Sequence, residues 1–187
     1  MAEAIDPRVV RTRHDVLQAT VDVLVDQGWD AVTLPHVARV AGYSKATLYA
    51  HWPDRVALVR DALQRFGDMP HAAPVGTLRE DLLTELVSFR AAMLEHRLDR
   101  ALLVLAERAP SVPELVPVRD AFVADGERVV RERLAPLLSP QQVDAAVLSL
   151  CGAVLHGVLL HGSPPSDAVL ATVVDAVVAG LGLDPRA

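Results

Sequence analysis

The stretch TLPHVARVAGYSKATLYAHWPDRVAL, residues 33–58, decides the fold of this 187-residue chain. Thr33 is a helix N-cap residue ahead of an apolar run, and Gly42 supplies the left-handed conformation that ends the first helix. Ser44 then caps a second short helix, and Asp54 caps a third. Two helices joined by a short turn that contains glycine form a helix-turn-helix, whose second helix can enter the major groove of DNA.

The predicted second helix carries polar groups where a recognition helix needs them. Leu48 is the one residue expected to pack inward against the first helix. Hydrogen-bond donors cluster at the start and flank of the second helix, on Lys45, Thr47, Tyr49 and His51. The free backbone N–H groups and the positive dipole end at its N-terminus also favour an anion. An αα-hairpin with a solvated polar face has the same pattern, so these residues alone leave both interpretations open.

The same stretch matches a family pattern at fixed spacing. The matching residues are Thr33, Ala41-Gly42 at the turn, Thr47-Leu48-Tyr49, His51-Trp52, and Arg55 at the start of the next helix. With these residues, the first third of the chain resembles the DNA-binding head of the TetR family of transcriptional regulators. The sequence departs from the family pattern at Trp52, where the family usually has Phe, and at Val56, where it usually has Glu.

The resemblance implies a set of residues that contact double-stranded DNA. In the family, the positions that typically touch phosphates match Thr33, Tyr49, His51 and Arg55. The positions that lie at or near base edges match Ser44, Lys45, Ala46 and Thr47. Neither departure from the family pattern removes one of these DNA-contacting groups.

The charge of the chain is divided unevenly along its length. The formal net charge is −6, but residues 1–60 hold seven Arg or Lys and seven Asp or Glu, whereas residues 61–187 hold eleven and seventeen. The acidity therefore belongs to the second part of the chain, and a local basic patch in the first part suffices for phosphate contact. The candidate cations for this patch are Arg8, Arg11, Arg13, Arg39, Lys45 and Arg55.

Helical patterns continue along the whole chain and predict an all-α fold of about nine helices. Residues 8–66 are expected to form a three-helix helix-turn-helix DNA-binding head, with the helix-turn-helix itself at 33–52. The resemblance implies that residues 77–183 form a C-terminal effector-binding and dimerisation domain. The continuously apolar residues 102–105 predict a short helix over 100–109 that is buried all round.

Stripes of small residues mark the last two predicted helices, over about 140–161 and 166–180. Small side chains allow helices to approach closely, and the leucines and valines beside them exclude water. The resemblance implies that these helices form a four-helix bundle between two subunits, which predicts a homodimer. The alternative is that the stripes pack only within one chain.

Several features argue against other classes of protein. No uninterrupted apolar run reaches the ~18 residues of a membrane span, no signal peptide is visible, and the single cysteine, Cys151, has no partner for an internal disulfide. The expected location is the cytoplasm, with no membrane partner. No Gly-flanked nucleophilic Ser, HExxH or CxxC motif occurs, so neither an enzyme nor a cofactor is expected. His156 and His161 are five residues apart, on different faces of an α-helix, which argues against a shared metal.

The resemblance also implies a small-molecule effector that binds among the later helices. Residues 61–187 contain no Trp or Tyr, and their only aromatic residues are Phe66, Phe89 and Phe122. An aliphatic ligand such as an acyl chain, terpenoid or lactone is therefore expected in preference to a planar aromatic one. The candidate lining residues are Leu86, Arg90, Met93, Leu103, Glu107, Phe122, Leu155 and His156. The alternative is that these residues are ordinary core and the pocket is small or absent.

The function predicted from the sequence is that of a homodimeric repressor, which a small-molecule effector releases from a palindromic operator. The alternative from another class is a helical ligand-binding dimer that has no productive DNA binding. The intact set of cations and hydroxyls from Thr33 to Arg55 favours the regulator.

Overall fold

The computed structural model of the protein describes residues 7–64, 71–74 and 76–184, and these residues form nine α-helices and no strand. The helices are α1 Pro7–Gln27, α2 Leu34–Ala41, α3 Lys45–His51, α4 Arg55–Leu63, α5 Leu78–Glu95, α6 Leu98–Arg108, α7 Val116–Leu134, α8 Pro140–Leu155 and α9 Asp167–Gly180. Short 3-10 turns lie at Trp29–Ala31 and Pro113–Leu115, and a π turn at His156–Leu160 continues α8. The all-α prediction is confirmed.

The chain divides into two compact units. The first unit consists of Met1–Gly67 with Arg100–Asp120, and the second of Asp68–Asp99 with Ala121–Ala187. The first unit thus takes in most of α6 and the start of α7 besides the segment around the helix-turn-helix. The domain limits 8–66 and 77–183 stay a prediction, and Phe66, the expected end of the fourth helix, lies outside the described residues.

The core of the first unit forms where α1 packs against α2 and α4. The inward face of α1 is the predicted one, with Val16, Leu17, Thr20, Val23 and Leu24 all buried. Thr20 is tolerated there because its hydroxyl donates to the Val16 carbonyl at 2.8 Å. The small core predicted around the helix-turn-helix is likewise buried throughout, at Trp29, Val32, Leu34, Val37, Leu48, Trp52 and Leu58.

Helix α6 differs from its prediction. Its position is close to the expected one, but it is amphipathic and not buried all round. Leu98, Ala101 and Leu105 form the buried stripe at helical spacing, whereas Leu103 is 43% exposed. The continuous apolar run was misleading because an 11-residue helix that packs on one side can bury only part of its circumference.

The helices of the second unit begin at the predicted caps. Thr77 and Glu80 form a capping box at α5, where the Thr77 hydroxyl donates to Glu80 Oε2 at 2.9 Å and lowers the pKa of that carboxyl. At α8, the backbone N–H of Ser139 donates to Gln142 Oε1 at 3.1 Å. At α9, the Ser166 hydroxyl accepts from the backbone N–H of Val169. These contacts fix the helix starts because they satisfy backbone donors that have no partner inside the helix.

Two carboxylates are buried on α5, and each has a cation or donor beside it. Asp81, 4% exposed, forms an ion pair with Arg133 of α7. Glu85, 2% exposed, lies 2.7 Å from His71 Nδ1 and accepts from the backbone N–H of Ala72 at 2.9 Å. A buried carboxylate without such partners would cost several kcal/mol of stability, so these contacts hold the start of α5 to its neighbours.

Helix α8 and its π turn form one long apolar element. Within Pro140–Leu160 an 18-residue window has a mean hydropathy of 2.0, yet only 33% of that window is buried. By length and composition alone this helix is long and apolar enough to cross a membrane, which a search for unbroken apolar runs does not detect. Asp144 is the one charged residue among these 21 residues. Core helices of other proteins meet the same criterion, and what distinguishes this one is its exposed apolar face.

Candidate nucleic-acid interface

The helix-turn-helix forms where the sequence predicts it, and local caps set its limits. Thr33 caps α2, with its hydroxyl accepting from the backbone N–H of His36 at 3.3 Å. Ser44 caps α3, with its hydroxyl accepting from the backbone N–H of Thr47 at 3.1 Å. Asp54 caps α4 in the same way through the N–H of Ala57 at 2.9 Å. Each cap satisfies a backbone donor that its helix leaves free.

The turn between α2 and α3 has three residues and is tied to the first helix. Gly42 has φ 76° and ψ 25°, a left-handed conformation that costs glycine little. Tyr43 follows, and its hydroxyl donates to Asp15 Oδ2 on α1 at 2.9 Å. Sequence reasoning missed this contact, for which the only signal was an aromatic hydroxyl inside a short turn. The bond fixes the direction in which α3 leaves the turn.

Helix α3 buries a single side chain and leaves its polar groups outward. Leu48 has no exposed surface and is the one buried residue of this seven-residue helix. Lys45, Ala46 and Tyr49 are exposed, and Thr47 and His51 are half-buried. Within the part of the chain that the structure describes, Lys45 makes no ion pair. A helix anchored by one leucine therefore presents a free ammonium group, hydroxyls and its own N-terminus to a partner.

The hydroxyls at the start of α3 form a local cluster. Ser44 Oγ and Thr47 Oγ1 lie 2.8 Å apart, so one donates to the other. Both lie beside the N-terminus of the helix, where backbone N–H groups carry partial positive charge. The structure thus brings together Ser44 and Thr47, two of the residues expected at base edges. The other two, Lys45 and Ala46, lie between them in sequence and are exposed.

Arg55, the first residue of α4, contacts Trp29 and lies near Asp30, and neither contact was predicted from the sequence. Its guanidinium lies 4.7 Å from the ring centre of Trp29, and its Nη1 is 3.9 Å from Asp30 Oδ1. Arg108 lies near the same ring at 5.6 Å. Trp29 is therefore a core residue, as predicted, and also a platform that orients Arg55 by a cation–π contact. The 38% exposure of the Arg55 side chain leaves it accessible to an anion.

Asp61 joins several elements of the head, and sequence reasoning did not single it out. Arg13 donates to Asp61 Oδ2 at 2.5 Å, and the indole N–H of Trp52 donates to the same oxygen at 3.1 Å. Arg60 donates to Asp61 Oδ1 at 3.0 Å. Arg13 thus has an internal partner, which makes it a weaker candidate for the basic patch than Lys45. That all six cations share one face stays a prediction.

The eight candidate effector residues fall into both compact units. Leu103 and Glu107 belong to the first unit and are exposed, with Glu107 3.3 Å from Arg108 in an ion pair. The other six belong to the second unit, where Leu86, Met93 and Phe122 are buried, Leu155 is half-buried and His156 is exposed. Arg90 forms an ion pair with Asp167 at 2.7 Å and donates to the Pro165 carbonyl at 2.6 Å.

A surface groove lies between α8 and α9 in the second unit. Its volume is about 440 Å³, and none of the candidate effector residues lines it. It is lined mainly by small side chains, at Ala145, Ala146, Ser149, Val173, Ala176, Val177, Gly180 and Leu181. Four of these residues, Ala145, Ala146, Ser149 and Ala176, belong to the small-residue stripes of the two predicted helices. A groove of this composition accepts a closely packed helix more readily than a polar ligand.

Comparison with known proteins agrees with this geometry. A family model described as bacterial regulatory proteins, tetR family, matches residues 16–62. The HTH-type transcriptional regulator AlkX of Mycobacterium tuberculosis is 32% identical over an alignment of 168 residues, and the match covers 83% of this chain and 77% of that protein. An uncharacterized HTH-type transcriptional regulator of the same species, Rv1556, is 28% identical over an alignment of 174 residues, and the match covers 88% of this chain and 84% of that protein.

Solved structures extend the similarity to the whole fold. A tetR-family transcriptional regulator from Streptomyces coelicolor matches with a TM-score of 0.72 at 19% identity, over 91% of this chain and 80% of that chain. The family model covers α2, the turn and α3, and the similarity to AlkX extends well beyond them. The protein therefore belongs to the TetR family of helix-turn-helix transcriptional regulators and is a DNA-binding regulator of transcription.

Proposed function

We propose that the protein is a homodimeric repressor, which binds a palindromic operator in the cytoplasm and leaves it when a small-molecule effector binds. The observation that carries the proposal is helix α3, because Leu48 alone anchors it and its polar residues remain outward. A two-turn helix with this division of residues suits insertion into the major groove.

Each head contacts DNA through two groups of residues. The phosphate contacts come from Thr33, Tyr49, His51 and Arg55. The base-edge contacts come from the start of α3, at Ser44, Lys45, Ala46 and Thr47. The exposed ammonium group of Lys45 supports this division, as does the Trp29 platform that directs Arg55. Phosphate contacts fix the position of the head on the duplex, and base-edge contacts select the sequence.

The dimer forms through α8 and α9. Support comes from the small-residue groove between these helices and from the large apolar side chains left exposed on α8, its π turn and α9. Leu148 and Leu160 are each 74% exposed, and Val169 is 50% exposed. Exposed apolar surface of this kind marks an interaction site, and a second copy of the same helices offers a matching surface. Two heads related by a two-fold axis then read half-sites about 34–36 Å apart, or a multiple of that distance.

The effector binds in the second unit among mainly aliphatic side chains, and α4 carries the change to the head. Buried Leu86, Met93 and Phe122 support an apolar ligand such as an acyl chain, terpenoid or lactone. Helix α4 packs against the 3-10 turn Pro113–Leu115 within the first unit, so the start of α7 can displace it. The ligand lowers operator affinity only by the difference between its affinities for the two arrangements of the heads.

The experiment that tests DNA binding is a salt titration of operator affinity by fluorescence anisotropy. Four phosphate-contacting residues in each of two heads would release counterions at about 0.9 per contact, so log affinity should fall against log salt with a slope of roughly −7. An affinity that does not change between about 50 and 200 mM salt would contradict the proposal, because losses in phosphate binding are large over that range.

Sedimentation velocity tests the dimer, since the chain has a mass of 20.1 kDa and the proposed assembly has twice that mass. Ala176→Arg places a long cation in the groove and should yield monomers. Ala124→Arg, at an exposed position in the middle of α7, is the matched control and should leave the dimer intact. If both variants remained dimers, the dimer interface would not lie at the groove between α8 and α9.

Operator release tests the effector. A panel of aliphatic ligands and planar aromatic cations would be added to the protein–operator complex, with thermal shift measured in parallel. Aliphatic ligands should both raise the melting temperature and release DNA, because a ligand stabilises the state that it binds. Release by the planar cations alone would contradict the aliphatic pocket.

A further inference from the structure

Two histidines are in contact at the end of α8, on a turn that is not α-helical. The ring centres of His156 and His161 lie 4.7 Å apart, with the ring planes inclined by 50°. Both residues are exposed. The backbone N–H of His161 donates to the carbonyl of His156 at 3.2 Å, which is the i to i+5 bond of a π turn.

The π turn overturns the expectation that these histidines point to different faces. Residues five apart on an α-helix are separated by about 140° around the axis, because each residue turns the chain by about 100°. A π turn has more residues per turn than an α-helix, as its i to i+5 hydrogen bond shows, so the angle between His156 and His161 around the axis is smaller and their rings are in contact. Sequence reasoning failed here because it assumed α-helical spacing up to the predicted helix end.

The packing of the following loop holds the π turn in place. A Cβ on Gly157 would lie 2.7 Å from Pro165 Cδ, so only glycine allows the loop to approach so closely. Arg90 then holds the loop, with Nη1 donating to the Pro165 carbonyl at 2.6 Å and Nη2 2.7 Å from Asp167 Oδ1. The backbone that carries the two imidazoles is therefore held by the following loop, and the two rings are already in contact.

We propose that His156 and His161 bind a divalent transition-metal ion, with Cu²⁺ held more tightly than Ni²⁺ or Zn²⁺. Neutral imidazole nitrogens are good ligands for all three ions, and the order follows their general preference for nitrogen sites. Two nitrogens about 2.0–2.1 Å from one ion are roughly 2.9 Å apart at the right angle of a tetragonal Cu²⁺ site and roughly 3.4 Å apart at the tetrahedral angle of a Zn²⁺ site, and both separations are compatible with rings whose centres lie 4.7 Å apart. The described residues include no group of three or more His, Cys, Asp or Glu that could hold a metal. Water, or the same pair from a second copy, completes the coordination.

The test is titration of the tag-free, full-length protein with Cu²⁺, read by calorimetry and by electron paramagnetic resonance. One ion should bind per chain, or one per two chains, with nitrogen hyperfine structure from at least two imidazoles. His156→Gln and His161→Gln should each weaken binding by at least about tenfold, since a lost ligand should cost no less than the 10–100-fold measured for lost outer-shell partners. His96→Gln, at an exposed histidine that caps α5, is the control and should bind as the wild type does.

Three results would contradict the proposed metal site. Absent binding, an equal affinity for all four proteins, or a loss as large in His96→Gln as in the pair would each overturn the proposal. All three substituted histidines are exposed, so far-ultraviolet circular dichroism should show unchanged helix content. This proposal does not rest on operator binding, and its metal titration needs no DNA.

Discussion

Replacing Leu48 by alanine should detach the recognition helix from the head. Leu48 has no exposed surface and is the one buried side chain of α3. An isolated helix shorter than about 12–15 residues is marginal in water, so a seven-residue helix depends on its packing. Truncating a fully buried leucine to alanine costs about 2–5 kcal/mol, whereas a serine N-cap such as Ser44 contributes about 1 kcal/mol. The leucine therefore outweighs the cap, which alone should not hold α3 in place.

The assay combines urea unfolding, amide hydrogen exchange and operator anisotropy at one protein concentration. Leu48→Ala should lower the free energy of unfolding by about 2–5 kcal/mol. The α3 amides should exchange faster, and the operator affinity should fall by at least about tenfold, which corresponds to 1.4 kcal/mol. Leu103→Ala is the matched control, because the same atoms are removed from a leucine that is 43% exposed. Its cost should stay below about 1 kcal/mol.

An equal loss of stability in the two variants would refute the reasoning, since burial is the property that distinguishes the two leucines. A Leu48→Ala protein with unchanged operator affinity would also refute it. That result would mean that α3 is held by contacts other than its buried side chain.

Three further predictions follow from contacts within the two units. Arg133→Met should destabilise the protein by about 3–5 kcal/mol in urea, because buried Asp81 loses its cation. The control is Arg119→Met, which removes an exposed ion pair with Asp120 and should lower the free energy of unfolding by less than about 1 kcal/mol. An equal loss of stability in the two variants would contradict the role of burial. Burial raises the pKa of the Cys151 thiol to about 12. Iodoacetamide at pH 8 should therefore leave Cys151 of the native protein unmodified and should alkylate it in urea. Rapid alkylation of the native protein would contradict this prediction, because it requires an accessible thiolate. Tyr43→Phe should cost about 0.5–1.5 kcal/mol, through its lost bond to Asp15, and should weaken operator binding without changing site preference. A changed preference would place Tyr43 at a base edge.

The helix starts could be predicted because their causes are local. Thr33, Ser44, Thr77 and Ser166 each accept a hydrogen bond from a backbone N–H three residues later, and the sequence alone identifies such a pairing. The inward face of α1 and the burial of Leu48 follow from helical periodicity in the same way. The family resemblance was carried by the same short stretch, and the comparisons confirm it.

The contacts that escaped prediction join residues far apart in sequence. Asp61 meets Arg13 across 48 residues, and Tyr43 meets Asp15 across 28. No spacing rule identifies such partners, because tertiary packing brings them together. The partial exposure of α6 was missed for a related reason, since an apolar run does not tell how many neighbours will surround it. At His156 and His161 the error was local, because a π turn replaced the α-helical geometry that the prediction assumed.

The measurement that tests the central claim most directly is binding-site selection from random duplexes. It would be run on the wild type, Lys45→Ala and Arg55→Ala. The wild type should enrich two half-sites related by two-fold symmetry. Lys45→Ala should lose its preference at one base pair in each half-site, by about 1–3 kcal/mol. Arg55→Ala should return the same motif while binding all duplexes more weakly, because it loses a phosphate contact. A wild type that enriches no two-fold motif, or a Lys45→Ala variant that returns the full motif, would contradict the proposed reading of DNA by α3.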